Sequence, residues 1–226
     1  LTADDGRTLW VYSGAHDMYF VGDFDEDGLY QPIQSVGQLS YNSQSYAAQT
    51  YYYEPGKPVI RFAWNRSDIP GAPFNGSMCT PTEMTLKKHG DRYYLSALPI
   101  KSTENLVVKS DKLDDFTLTH CTHELGSKTC RISFTVKEGD LTCNLYGLEM
   151  KLDKNGLTCG ESMLPRLKNE PMKVDIITDT NSVEIYLNGV ANTVIAHVLD
   201  EIHTTCRAQG IPTDTTISEN GPGQFE

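Results

Sequence analysis

Basic residues are scarce in this chain. Nineteen Lys and Arg stand against 30 Asp and Glu, a formal net charge of −11 over 226 residues. A surface of that sign repels phosphate backbones and anionic headgroups, which argues against nucleic-acid and membrane-surface partners. A neutral ligand such as a sugar is compatible with it. No apolar run approaches the roughly 20 residues that cross a bilayer as a helix. The start, Leu1-Thr2-Ala3-Asp4-Asp5-Gly6, has neither the basic region nor the apolar core of a leader. It also lacks an initiator Met, so we expect a processed or truncated product, with secreted and cytoplasmic locations both open. No segment sustains a 3.6-residue apolar period over about 11 residues, so little helix is expected. A Gly-x-Ser-x-Gly elbow and phosphate-cradling Gly motifs are absent as well. We expect no cofactor and no metal.

What is present is the material of β-sheets. Tyr, at 12 residues, far outnumbers Trp, at two, and suits a pleated, half-buried surface. The length admits one large or two modest domains. The stretch Ser45–Trp64 reads as a hairpin. Tyr46–Tyr53 is one strand, Glu54-Pro55-Gly56-Lys57 is turn chemistry, and Val59–Trp64 is a buried strand with Arg61 its single charge. Trp64 ends that strand beside a polar loop, where an aromatic either caps the hairpin or walls a pocket. Upstream, the apolar runs at 8–13 and 18–22 flank a loop at Gly14–Asp17. Downstream, the Pro- and Gly-rich run Ile69–Gly76 is a long loop of the kind that carries sites. Met84–Lys88 and Arg92–Leu98 form a hairpin around His89-Gly90-Asp91. The polar stretch Pro99–Lys112 reads as a connector and domain boundary, giving domains 1–105 and 112–226. The second half shows strands at Lys128–Val136, Leu141–Leu152, Lys173–Ile177, Val183–Leu187 and Val194–Leu199. Turn signals every 8 to 14 residues there indicate a β-sandwich. Alternation puts Val174, Ile176, Val183, Ile185 and Leu187 in the core, with Asp175, Glu184 and Tyr186 pointing elsewhere. Residues 207–226 read as a loose edge or tail.

Several clusters invite chemistry. Asp23–Gly28, DFDEDG, opens like a calcium loop, but its last ligand position is Gln34 and strands flank it, so a solvated turn with local Asp–amide bonds is expected. His120, Cys121, His123 and Cys130 match no compact zinc spacing. Cys121 and Cys130 could pair as a disulfide or remain thiols, and the six cysteines leave the pairing open. Asn65-Arg66-Ser67 and Asn75-Gly76-Ser77 fit the glycosylation triplet. Asp23 and Asp25 share one side of an extended segment, and Glu83 and Glu184 lie on strands; none is assigned catalysis.

Four segments, taken in order, resemble glycoside hydrolase family 32, the β-fructosidases. Leu9-Trp10-Val11 with Tyr19–Asp25 resembles the segment after the family's acid/base motif. Tyr46-Ala47-Ala48-Gln49-Thr50 with the strand ending in Trp64 resembles its Tyr-Ala strand. Gly76-Ser77-Met78 with Pro81–Leu86 resembles the end of the catalytic domain. Ile176–Asp179 with Ser182–Gly189 resembles a signature of the C-terminal sandwich. The resemblance implies an all-β chain, the last strands of a five-bladed β-propeller followed by a β-sandwich, corresponding to the C-terminal part of such an enzyme. It implies a retaining hydrolase of β-fructofuranosyl bonds in sucrose, levan or inulin. It also implies that Tyr46, Gln49 and Trp64 border the sugar pocket. The family's Asn-Asp-Pro, Arg-Asp-Pro and Glu-Cys motifs do not occur in the chain. Both catalytic carboxylates and the stabilising Asp are therefore expected upstream of Leu1, and this chain alone is expected to be inactive. Ser40 and Ser43 stand where some members carry an acidic and a basic residue. The expected partners are a fructose-containing saccharide and either the missing propeller region or another chain covering open edges. The rival reading is a non-catalytic sugar-binding β-module, and a third is a structural remnant.

Overall fold

The computed structural model describes residues 1–42, 44–51, 54, 56–68, 73–113, 121–124, 127–197, 205–209 and 212–221. The chain is all-β, with one short 3-10 helix, Lys101–Leu106, among the described residues. It divides into two compact units. The first comprises Leu1–Ile100 with Gly189–Asn192, the second Lys101–Asn188 with Thr193–Glu226.

The first unit holds two antiparallel sheets. β1 (Trp10–Ser13), β2 (Met18–Phe24), β3 (Tyr30–Pro32) and β4 (Gly37–Gln38) form one, with β1 along one edge of β2 and β3 and β4 along the other. β5 (Ser45–Thr50), β6 (Val59–Asn65), β7 (Ser77–Met78), β8 (Thr82–His89) and β9 (Arg92–Pro99) form the other, in the order β5-β6-β8-β9 with β7 beside the end of β6. Period-two alternation sends Tyr19 and Val21 of β2 inward to meet Leu86, Tyr93, Leu95 and Ala97 from β8 and β9. Leu9 and Leu39 complete that core. The two sheets stand as successive blades of a propeller, and they do not close into a ring. The outer face of the first sheet is unusually apolar. Trp10, Tyr12, Phe20 and Phe24 are 42–72% exposed. Their rings meet edge-on, Trp10 against Phe24 at 5.3 Å and Phe24 against Tyr30 at 5.7 Å between centroids.

The second unit is a β-sandwich. Its strands are β10 (Val107–Leu113), β11 (Cys121–Glu124), β12 (Cys130–Val136), β13 (Leu141–Leu145), β14 (Leu148–Leu152), β15 (Gly156–Cys159), β16 (Ser162–Pro165), β17 (Met172–Asp179), β18 (Ser182–Leu187), β19 (Ala191–Ala196), β20 (Thr205–Gln209) and β21 (Thr213–Asn220). One sheet runs β10-β21-β12-β17-β18-β19, the other β11-β20-β13-β14-β15-β16. Bonds between the sheets tie them together: Ser162 to Thr193 at 2.7 Å, and the Cys130 thiol to the Tyr146 hydroxyl at 3.7 Å.

Several expectations change here. Val107–Leu113 is an edge strand, where a polar connector was expected. Leu141–Leu152 is a hairpin, turned by Tyr146 and Gly147 at positive φ. Thr213–Asn220, expected as tail, is an interior strand between β10 and β12, burying Thr215, Ile217 and Ser218. Its β-branched residues suit that place although only one is strongly apolar. Glu184 and Tyr186 are buried too, because β18 is covered on both faces; the Tyr186 hydroxyl donates to Glu184 Oε2 at 2.6 Å. Asn188 and Gly189 take φ of 53° and 72°, the tight-turn geometry that Asn-Gly favours.

Candidate functional site

The site grows out of one irregularity in the β5–β6 pair. Tyr46 lies opposite Trp64 and Gln49 opposite Phe62, so three steps along β5 match two along β6. The extra residue is a β-bulge, with Ala47 held at φ 49° and its N–H donating to the Ala15 carbonyl at 2.9 Å. In a regular strand, residues three apart point to opposite faces. The bulge cancels that inversion. Tyr46, Gln49, Phe62 and Trp64 therefore share one face, and Arg61, Ala63 and Asn65 point into the buried side at 4%, 1% and 2% exposure.

On the open face, Tyr46 meets Trp64 edge-on, with 6.4 Å between centroids. Trp64 is 46% exposed, and β6 continues one residue beyond it to Asn65. The His16 ring lies 4.9 Å from the Tyr46 ring, tilted by 58°, and the Arg66 guanidinium lies 4.8 Å from the Tyr46 centroid. Gly76 packs against the indole: a Cβ there would fall 2.4 Å from Trp64 Nε1, and its φ of +73° suits glycine. Exposed Met78 sits opposite Trp64 on β7. Gln49 is exposed at the bulge. An apolar ring surface with a hydroxyl, an amide and a cation at its rim can lie against the C–H face of a sugar and bond its hydroxyls.

Beneath that face, Asp17 is 2% exposed. Its Oδ2 accepts from Arg61 Nη2 at 2.5 Å and from Ser45 Oγ at 2.9 Å, and the same Arg61 nitrogen reaches Ser45 Oγ at 3.0 Å. Asn65 Nδ2 donates to Ser77 Oγ at 3.2 Å, and Asn65 Oδ1 accepts from the Ser67 hydroxyl at 2.5 Å, which fixes the start of the loop after Trp64. Asn65 of the first glycosylation triplet is thus buried and bonded, whereas Asn75 of the second is exposed.

The sequence pointed to Tyr46, Gln49 and Trp64 but not to His16, Arg66 or Asp17. The available signal was Arg61, a charge in an apolar strand, which when buried demands a partner. Glu83 of β8 lies opposite Ile60, on the same side of the sheet as Phe62 and Trp64, whereas the DFDEDG segment begins at the end of β2 in the other sheet. Asp25 Oδ1 accepts from the N–H groups of Asp27 and Leu29 and Oδ2 from Gln31 Nε2, the local turn expected of DFDEDG. The Gln31 amide, then the Leu29 N–H, hold its carboxyl below the ordinary value. Ser40 is buried, and Ser43 lies outside the described residues. The hairpin expected to carry a Cys121–Cys130 disulfide does not form: Cys130 is buried on β12, in one sandwich sheet, with its Sγ 3.1 Å from Thr178 Oγ1, and Cys121 belongs to β11 in the other. His120 lies outside the described residues, and no metal-holding cluster occurs among the described ones.

Comparison with known proteins bears on the same region. Residues 6–97, less than half of the chain, match the model for the glycosyl hydrolases family 32 N-terminal domain. The matched domain is the N-terminal one, so a description of the whole chain as a C-terminal part is not supported. No curated protein matches the sequence. Among solved structures, an exo-inulinase from Aspergillus awamori aligns over 98% of this chain and 55% of its own, with TM-score 0.75 and 17% identity. A sucrose-6-phosphate hydrolase from Lactobacillus gasseri aligns over 90% and 47%, with TM-score 0.73 and 16% identity. A β-fructofuranosidase from Schwanniomyces occidentalis, complexed with fructosyl-erythritol, aligns over 97% and 58%, with TM-score 0.73 and 15% identity. These likenesses establish the fold. The chain spans about half the length of the structures it matches.

Proposed function

We propose that this chain is a portion of a family 32 β-fructosidase and that Tyr46, Gln49 and Trp64 line its sugar pocket. Residues 1–100 supply strands of the five-bladed propeller, and the sandwich begins at Lys101 and includes β10. The observation that carries the reading is the bulged β5–β6 face, which lies within the segment matching the family model and gathers the three residues on one side. The substrate is a saccharide with β-fructofuranosyl bonds, such as sucrose, levan or inulin. In the retaining mechanism one carboxylate attacks the anomeric carbon while a second carboxyl protonates the leaving oxygen, the two about 5–5.5 Å apart. Tyr46 and Trp64 hold the ring against that pair, and Gln49 bonds a hydroxyl. The carboxylates themselves come from polypeptide outside residues 1–226. In support, none of the three acidic motifs occurs in the sequence. The exposed Trp10, Tyr12, Phe20 and Phe24 face is the place where another propeller sheet packs, a role that fits a pair of blades not closed into a ring.

A second reading, a sugar-binding module without hydrolysis, is favoured by an open aromatic face with no carboxylate pair beside it among the described residues. The isolated chain, incubated with sucrose, inulin and levan, releases no fructose above a heat-killed control. Release of fructose would refute the assignment of both carboxylates to missing polypeptide.

A further inference from the structure

We infer that Asp17 is a positioning residue for the Tyr46–Gln49–Trp64 face, acting through Arg61 and Ser45 to hold the β5–β6 bulge in place. The inference rests on the sugar-site reading above for its functional consequence, but its structural part stands alone.

Arg61 and Ser45 bracket the bulge on the buried side. Ser45 pairs with Asn65 one step before Tyr46, and Arg61 pairs with Thr50 one step after Gln49. Asp17 is the group that joins them across the extra residue, at 2.9 Å to Ser45 and 2.5 Å to Arg61. Its own backbone is anchored. The Asp17 N–H donates to the Gly14 carbonyl and the Asp17 carbonyl accepts from Leu39, with φ at 57°. The same loop supplies the Ala15 carbonyl that binds Ala47 N–H at the centre of the bulge, and His16, whose ring packs tilted against Tyr46. The 14–17 loop thus touches the bulge at its start, middle and end.

A bulge needs such a clamp. Ala47 at positive φ is disfavoured for a residue with a Cβ, and nothing in its side chain secures it. Loss of the clamp lets β5 slip by one residue, and a one-residue slip turns every side chain to the other face. Tyr46 would then leave Trp64. A buried ion pair is weak support for stability but well suited to fixing register.

Two variants of the full chain test this. Asp17→Leu combined with Arg61→Met removes both charges and keeps apolar volume, a replacement that leaves many proteins as stable as before. Ser45→Ala removes one hydroxyl and keeps the ion pair. The readout is the indole N–H signal of Trp64, assigned by its loss in Trp64→Phe, together with affinity for an inulin oligosaccharide. We expect the double variant to unfold cooperatively, to shift or split the Trp64 signal and to bind the oligosaccharide at least tenfold more weakly. Ser45→Ala should displace the signal less, in the same direction. A parental Trp64 signal in a folded double variant overturns the inference. If the double variant does not fold, Ser45→Ala decides, and an unmoved signal there overturns it equally. If the unaltered chain binds no fructan, the sugar-site reading fails while the indole signal still decides the role of Asp17.

Discussion

Ile185→Ala measures how firmly the sandwich is held by its own core. Ile185 has no exposed surface, lies opposite equally buried Ile176, and is flanked on its strand by Val183 and Leu187 at 0% and 1%. The substitution removes three carbons. At about 0.8 kcal/mol per buried CH₂ the transfer loss is about 2.4 kcal/mol. A strand covered on both faces has little room to relax into the gap, so a cavity contribution adds to that loss, giving about 3–5 kcal/mol. With a urea slope of about 1–3 kcal/mol per molar, the midpoint falls by on the order of 1–5 M. The assay is urea unfolding followed by far-UV circular dichroism, with Val108→Ala as control. Val108 is 72% exposed on β10, and its truncation should stay within about 0.5 kcal/mol. An Ile185→Ala midpoint within error of the control would refute the packing argument for β17 and β18.

Other outcomes follow from the same structure. Trp64→Ala, at a 46% exposed position, should alter stability by less than about 1 kcal/mol yet weaken sugar binding at least tenfold in calorimetry. A polypeptide of residues 101–226 should unfold cooperatively alone, since its two sheets are complete in strand order; non-cooperative loss of structure in denaturant would contradict the proposed division. Burial pushes the Cys159 thiol up to about 12, and burial, reinforced by Tyr19 and Tyr94, pushes the Tyr41 hydroxyl up to about 12. Both raised groups favour the folded state fully below their ordinary values of 9.0 and 10.0. That contribution is lost as pH climbs through about 12, because the unfolded chain gives up these protons first. Thermal midpoints should therefore fall steadily from about pH 9 upward, and a flat profile to pH 11 would contradict the burial of both groups.

Much of the fold was legible where local chemistry and packing agree. The hairpin around Gly90-Asp91, the alternation of Cys130–Val136 and the Asn188-Gly189 turn all follow from turn residues and period-two burial. What escaped has physical reasons. β21 carries one strongly apolar residue, Ile217, because its neighbours on both sides supply the pairing that a tail would lack. The bulge is invisible because Ala47 is no turn residue, and alternation alone would set Tyr46 and Gln49 on opposite faces. Arg61 announced a partner, but Asp17 lies 44 positions away and no local pattern links them. The candidate residues Tyr46, Gln49 and Trp64 came from a resemblance; the geometry that puts them on one face came only with the structure.

The chain has only two tryptophans, which makes the central claim directly measurable. In a ¹⁵N-labelled sample the two indole N–H signals report Trp64 on the proposed sugar face and Trp10 on the outer face of the first sheet. Titration with an inulin oligosaccharide should move the Trp64 signal in a saturable way and leave Trp10 in place. The same titration with a maltooligosaccharide should move neither. Saturable movement of Trp10 alone, or no movement of Trp64 at saturating inulin, would contradict a fructan site built on Tyr46, Gln49 and Trp64.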